Sequence, residues 1–227
     1  MKTVLRGEAE IPATSGMRIL ALFGGTFDPI HLGHLCAAWE AAELLVAEVR
    51  LLPASVPPHR PQPTASAMQR ADMLRAALQG QSRLSLDTRE LRRTGPSYTC
   101  DTLTELRAEE GSRSLVLLLG ADALAGLTDW HRWRELFQYA HIGVLSRPGA
   151  EAVYPKQLLS ELASRRIDDV ADLRASPAGK VIGLAVTPLE VSATRIRELL
   201  AAGRDPRYLL PAGLFDDPAL LAPYRIE

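Results

Sequence analysis

The sequence predicts an α/β protein of the Rossmann-like, doubly wound kind: a parallel sheet covered by helices and followed by a small C-terminal helical subdomain. Three observations predict it. Strand-length apolar runs alternate with helical stretches from Arg18 onward, the pattern of successive strand–helix–strand units. The first run, Ile19-Leu20-Ala21-Leu22-Phe23, ends at Gly24-Gly25 immediately before a helix. The run Leu115-Val116-Leu117-Leu118-Leu119 is apolar without interruption, as a strand buried on both faces requires.

The elements follow in order. Residues 1–16 show no period and end in the turn-prone Ala13-Thr14-Ser15-Gly16, so they read as a flexible tail, with Met17 as an alternative start. After the first strand, Leu32 to Val46 is rich in Ala, Leu and Glu and predicts a helix. Glu48 to Leu52 is the second strand, and Pro53 to Pro63, with five prolines, is a loop. Ser66 to Leu78 places Met68, Met73, Leu74, Ala77 and Leu78 near helical spacing, and Leu84-Ser85-Leu86 is a brief strand. Thr99 to Glu109 is a further helix, and Leu115 to Leu119 is the central strand. A tryptophan-bearing helical stretch then reaches Phe137, followed by a strand from His141 to Leu145. Residues 150–178 are mixed and free of motifs, and read as packing without a function. Val181 to Val186 is the last strand, and Ser192 to Ala202 a helix stopped by Gly203. The core thus spans 17–187 and the helical subdomain 188–227.

Bulk properties narrow the function. With 47% apolar and 23% charged residues the chain is an ordinary globular protein. A formal charge of −1 argues against a nucleic-acid partner, so any phosphate site is local. No apolar run of membrane-spanning length occurs, and the two cysteines, Cys36 and Cys100, lack metal-site spacing. A cytoplasmic protein with reduced thiols is the expectation; whether it forms a homo-oligomer is left open.

The segment Gly24-Gly25-Thr26-Phe27-Asp28-Pro29-Ile30-His31-Leu32-Gly33-His34 carries the chemistry. It joins a strand to the next helix, where open α/β sheets bind ligands. Glycines let the backbone approach an anion, and the helix start offers free N–H groups and a positive dipole end. His31 and His34, three apart, face one side of the first turn. A glycine pair alone is usually only a turn. The histidine pair could hold a metal, yet zinc needs a third ligand and none stands at a recognisable spacing, so no protein metal site is expected. The Walker lysine and the GxGxxG spacing are both missing. An imidazole-bearing phosphate site remains.

That segment resembles the His-x-Gly-His signature of the nucleotidyltransferase superfamily related to class I aminoacyl-tRNA synthetases. Further segments are similar, in the same order, to bacterial-type nicotinate mononucleotide adenylyltransferases. They are Leu52 to Arg60, Arg93 to Leu103, Leu119 to Leu124 with Trp130-His131-Arg132-Trp133, and Val191 to Arg197. The likeness runs from about Arg18 to Leu210. It implies transfer of AMP from ATP to nicotinate mononucleotide, giving the dinucleotide precursor of NAD and pyrophosphate. His34 and His31 would be catalytic. Gly24, Gly25, Thr26, Phe27, Gly120, Asp122, Ser192, Thr194 and Arg197 would join them in holding ATP, with Asp122 on the ribose or, by a plainer reading, capping a helix. Arg60, Ser97, Tyr98, Thr99 and Trp130 would hold nicotinate mononucleotide, the indole being otherwise a half-buried core aromatic. Magnesium would travel on the triphosphate without a protein cage. Two positions depart from the family: Ala193 replaces a usual serine and Arg60 a usual lysine. The alternatives are another transferase of the superfamily, acting for example on phosphopantetheine, and a non-catalytic nucleotide-binding protein.

Overall fold

A computed structural model describes residues 19–56, 61–146 and 154–225. The expectations for residues 1–16, Met17 and Arg60 lie outside them. The strands are β1 (Leu20–Gly25), β2 (Glu48–Pro53), β3 (Leu84–Leu86), β4 (Leu115–Gly120), β5 (His141–Ser146), β6 (Arg166–Ile167) and β7 (Val181–Ala185). The helices are α1 (Leu32–Leu45), α2 (Ala67–Ala77), α3 (Thr99–Glu110), α4 (Ala121–Ala125), α5 (Leu136–Tyr139), α6 (Lys156–Arg165), α7 (Ala171–Arg174) and α8 (Ala193–Ala201). Among the described residues the strands form one seven-stranded sheet in the order β3-β2-β1-β4-β5-β7-β6, parallel throughout. This is the predicted doubly wound α/β fold.

Alternation along the strands builds two cores. Ile19, Ala21, Val116 and Leu118 point into a layer with α1, α2 and α8. Leu20, Leu22, Leu115, Leu117 and Leu119 point to the other face, against α3, α5 and Trp133. The C-terminal residues Leu210, Leu214, Leu221 and Tyr224 belong to the first of these cores.

One local expectation is corrected, and the stretch read only as packing acquires elements. The stretch 150–178 contains α6, the edge strand β6 and α7, with Leu158 and Leu173 fully buried. A two-residue strand is too short to leave a period in the sequence, and only its pairing with β7 reveals it. The helical stretch up to Phe137 is likewise broken into α4, the 3-10 turns Leu127–Asp129 and Trp133–Glu135, and α5. Arg132, in left-handed conformation at φ 54°, marks one of the breaks.

The sheet winds in opposite directions from β1 and β4. Their pairing covers only Leu20↔Leu115, Ala21↔Val116 and Leu22↔Leu117. By contrast, β1 stays paired with β2 to Gly25↔Pro53, and β4 with β5 to Gly120↔Leu145. The two central strands therefore part towards their carboxyl ends and leave a crevice at the switch point, where such sheets take ligands.

Candidate active site

Gly24 and Gly25 end β1 on one side of the crevice, and Gly120 ends β4 on the other. A methyl group built on Gly24 or Gly120 would meet nothing within 4 Å, so the backbone there borders open space. Gly25 has a different reason: a Cβ would fall 2.8 Å from the ring of Phe27. Phe27 is buried with φ 51°, a left-handed conformation that costs energy for a bulky residue. It turns the chain from β1 into α1.

His31 is the N-cap residue of α1, in extended conformation, and the first turn carries neither an acidic side chain nor a side-chain cap. The imidazoles of His31 and His34 stack, with centroids 3.7 Å apart and planes 24° from parallel, and Phe27 packs edge-on to His34 at 5.1 Å. Gly33 makes room for this, since a Cβ on it would lie 3.1 Å from the His31 ring. Burial lowers the His31 pKa to about 4, so its imidazole is neutral at neutral pH. Its Nδ1 is buried and has no hydrogen-bond partner among the described residues. An orphaned ring nitrogen is unfavourable for packing alone. It suits a ligand that brings its own acceptor or donor.

Asp122 stands exposed in the first turn of α4 and makes no side-chain cap there, the N-cap position being Gly120. The capping role is therefore not realised. On the far side, Ser192 caps α8 by accepting from the Arg195 N–H at 3.2 Å. Arg197 donates from Nη1 to the Asp28 carbonyl at 2.7 Å and from Nη2 to Thr194 Oγ1 at 3.3 Å. This ties the first turn of α8 to the loop that carries the histidines. Thr26 lies between Gly25 and Phe27, and its carbonyl accepts from Arg70 at 2.6 Å.

The other expected group sits at the start of α3. Tyr98 packs on His131 with centroids 4.4 Å apart, which brings Tyr98 and Thr99 beside the turn holding Trp130. Trp130 is half-buried against the second core. Ser97, expected to help hold nicotinate mononucleotide, is buried: its Oγ accepts from the Ser55 N–H at 2.9 Å, and its N–H donates to the Val56 carbonyl at 3.0 Å. Its hydroxyl is held inside the protein, leaving the N–H groups of the following helix turn for a ligand.

Asp28, together with three residues that the sequence reading passed over, Arg70, Glu90 and Tyr224, organises these loops. Arg70 is 1% exposed and donates only to backbone carbonyls. Asp28 accepts from the N–H groups of Thr64 and Ala65, at 2.8 and 3.0 Å, and from the Tyr224 hydroxyl at 2.7 Å. Burial, and after it that bond, push the Tyr224 pKa far up. Glu90, buried beneath Ser97, accepts from Thr102 Oγ1 at 2.7 Å, and burial raises its pKa. Arg70 left one signal: it lies three and four residues before Met73 and Leu74, on the buried stripe of α2. Asp28 and Tyr224, 196 positions apart, left none.

The donors gathered here do not form a metal cage. No cluster of three or more His, Cys, Asp or Glu able to hold an ion occurs among the described residues, and the Asp28 oxygens are already taken.

An open doubly wound sheet with a glycine- and imidazole-lined crevice at its switch point is the frame of a nucleotidyltransferase, and a model of the cytidylyltransferase-like family matches residues 22–199. A probable nicotinate-nucleotide adenylyltransferase of Halorhodospira halophila is 50% identical over 196 residues, 86% of this chain and 90% of that protein. One from Pseudomonas putida KT2440 is 49% identical over 208 residues, covering 91% of this chain and 90% of the relative. Plasmodium falciparum nicotinic acid mononucleotide adenylyltransferase, solved in complex with NaAD, shares the fold with a TM-score of 0.67 at 14% identity, over 91% of this chain and 96% of that one. The chain belongs to the nicotinate-nucleotide adenylyltransferase family.

Proposed function

We propose that this enzyme transfers the adenylyl group of ATP to nicotinate mononucleotide, forming nicotinate adenine dinucleotide and pyrophosphate in NAD biosynthesis. One observation carries the reading: the crevice between β1 and β4 combines bare backbone at Gly24 and Gly120 with the stacked pair His31 and His34.

A 5′-phosphate oxygen of the mononucleotide attacks the α-phosphorus of ATP. A new P–O bond forms as the bond from the α-phosphorus to the bridging oxygen of the β-phosphate breaks, and pyrophosphate leaves with that electron pair. The nucleophile is already anionic, so no covalent enzyme intermediate is needed. The obstacle is bringing two anions together, and positioning can supply roughly 7–11 kcal/mol towards it. His34 donates to the α-phosphate as charge builds there, and the neutral His31 holds a neighbouring oxygen through a ring N–H. Gly24, Gly25, Thr26 and Phe27 shape the turn around the phosphates, Gly120 and Asp122 meet the adenosine ribose, and Ser192, Thr194 and Arg197 meet the β- and γ-phosphates. Tyr98, Thr99 and Trp130 receive the nicotinate, with Ser97 holding their loop and Arg60 supplying positive charge. Magnesium would be carried by triphosphate oxygens and water.

Pyrophosphate release from ATP, measured in parallel with nicotinate mononucleotide, nicotinamide mononucleotide and phosphopantetheine, tests the reading. The first acceptor is expected to be preferred; preference for phosphopantetheine would overturn it. His34→Ala should keep the wild-type thermal transition and lose on the order of a hundredfold or more in kcat, the usual effect of removing one transition-state donor.

A further inference from the structure

Arg70 occupies an unusual position. Its guanidinium is almost completely buried, yet every acceptor it meets is a neutral carbonyl. Nη1 donates to Thr26 at 2.6 Å, Nη2 to Ala54 at 2.8 Å and Ser55 at 3.2 Å, and Nε to Ala65 at 3.3 Å. Three loops that share no secondary structure thus converge on one side chain. They are the turn after β1, the loop after β2 and the entry to α2. Burying a cation is costly unless it is well hydrogen-bonded, and a fold needing only packing would place an apolar residue on this stripe of α2.

The loop after β2 continues the connection. Ser55, whose carbonyl accepts from Arg70, donates its N–H to Ser97 Oγ. The next residue, Val56, accepts from the Ser97 N–H. Ser97 stands directly before Tyr98, where α3 begins. A chain of hydrogen bonds therefore runs from Thr26 through Arg70 and Ser55 to Ser97, from the phosphate turn to the loop at the opposite wall of the site.

We propose that Arg70 is a positioning residue that couples the two substrate loops, so that ordering the turn after β1 around ATP also orders the Ser97–Thr99 loop for the acceptor, and the reverse. The assignment of that loop to the acceptor rests on the function proposed above. The planar fork of arginine is what the position requires, because its donors diverge to separate segments. Lysine keeps the charge but offers a single nitrogen that cannot reach them all. Coupling of this kind is reciprocal: each ligand should raise the affinity for the other by the same factor.

The test uses the full-length enzyme and two arms. Ser97→Ala removes the far end of the chain, losing the bond from the Ser55 N–H and the hydroxyl's bond to the buried Glu90, so its thermal transition is measured beside the wild type's to show that it folds. It should weaken a non-hydrolysable ATP analogue, measured by calorimetry without acceptor, by about fivefold or more, although Ser97 is on the other loop. Ser97→Thr, which keeps the hydroxyl, should restore the affinity. Arg70→Lys should raise KM for both substrates, and adding Ser97→Ala to it should do little more, because both break one connection. The proposal is overturned if Ser97→Ala binds the analogue within about twofold of wild type, or if the two substitutions act independently in the double variant. The analogue arm does not involve the acceptor. If the acceptor is misassigned, wild type fails to turn over nicotinate mononucleotide while the analogue arm still reads the coupling.

Discussion

Neighbouring glycines at the end of β1 have separate reasons to lack a side chain, and the difference can be measured. Alanine at Gly25 would collide with the Phe27 ring, so Gly25→Ala should lower the thermal transition by several degrees, as overpacking by roughly 1–3 kcal/mol does. Alanine at Gly24 would meet open space, so Gly24→Ala should keep the wild-type transition. If phosphate approaches the bare backbone there, the same variant should bind an ATP analogue on the order of tenfold more weakly. Unchanged affinity in Gly24→Ala would remove this turn from the phosphate site. The reading of His31 and His34 as a pair came from spacing alone, and they do lie face to face. Nothing in the spacing foretold that His31 would be buried and held neutral.

At the scale of elements, α8 shows how one residue can carry two roles that a variant separates. Ser192 caps the helix, and the proposed function sets it against the distal phosphates of ATP. Ser192→Asp keeps a good cap and should leave thermal stability unchanged. Its negative charge should still raise KM for ATP several-fold, whereas Ser192→Ala should lose about 1 kcal/mol of stability through the missing cap. An aspartate variant with normal KM would leave Ser192 a capping residue only. Long periodic elements such as α1 and the apolar β4 were legible because the whole face of a helix, or both faces of a strand, repeats the signal. The strand β6 and the broken segment before β5 were not, because two or three residues carry no period and tertiary pairing decides their conformation.

For the whole molecule, acid sensitivity follows from two buried imidazoles. His141 has both ring nitrogens engaged, Nδ1 accepting from the Lys180 N–H at 3.0 Å and Nε2 donating to the Ser176 carbonyl at 2.9 Å, and burial lowers its pKa. His31 is lowered from 6.5 to about 4. Between those values the unfolded chain binds a proton that the folded protein refuses, so stability holds above about pH 6.5 and falls as the pH drops through the window. For His31 the full loss is about 3 kcal/mol once the pH reaches its folded value. Urea unfolding at pH 7, 6 and 5 should therefore show wild type losing more stability than His31→Gln. Parallel losses in the two proteins would contradict a neutral buried His31.

By itself, the sequence determined the strand–helix alternation, the buried central strand, and the glycine and histidine turn, because each is written in neighbouring residues where periodicity and turn chemistry act. Only the tertiary structure decided that β1 and β4 part beyond Leu22 and Leu117 to open the crevice, that Asp28 and Tyr224 close on each other from opposite ends of the chain, and that Arg70 joins three loops. These are contacts between segments far apart in sequence. They form when burial forces each polar group to find a partner, and no local pattern records which partner that will be.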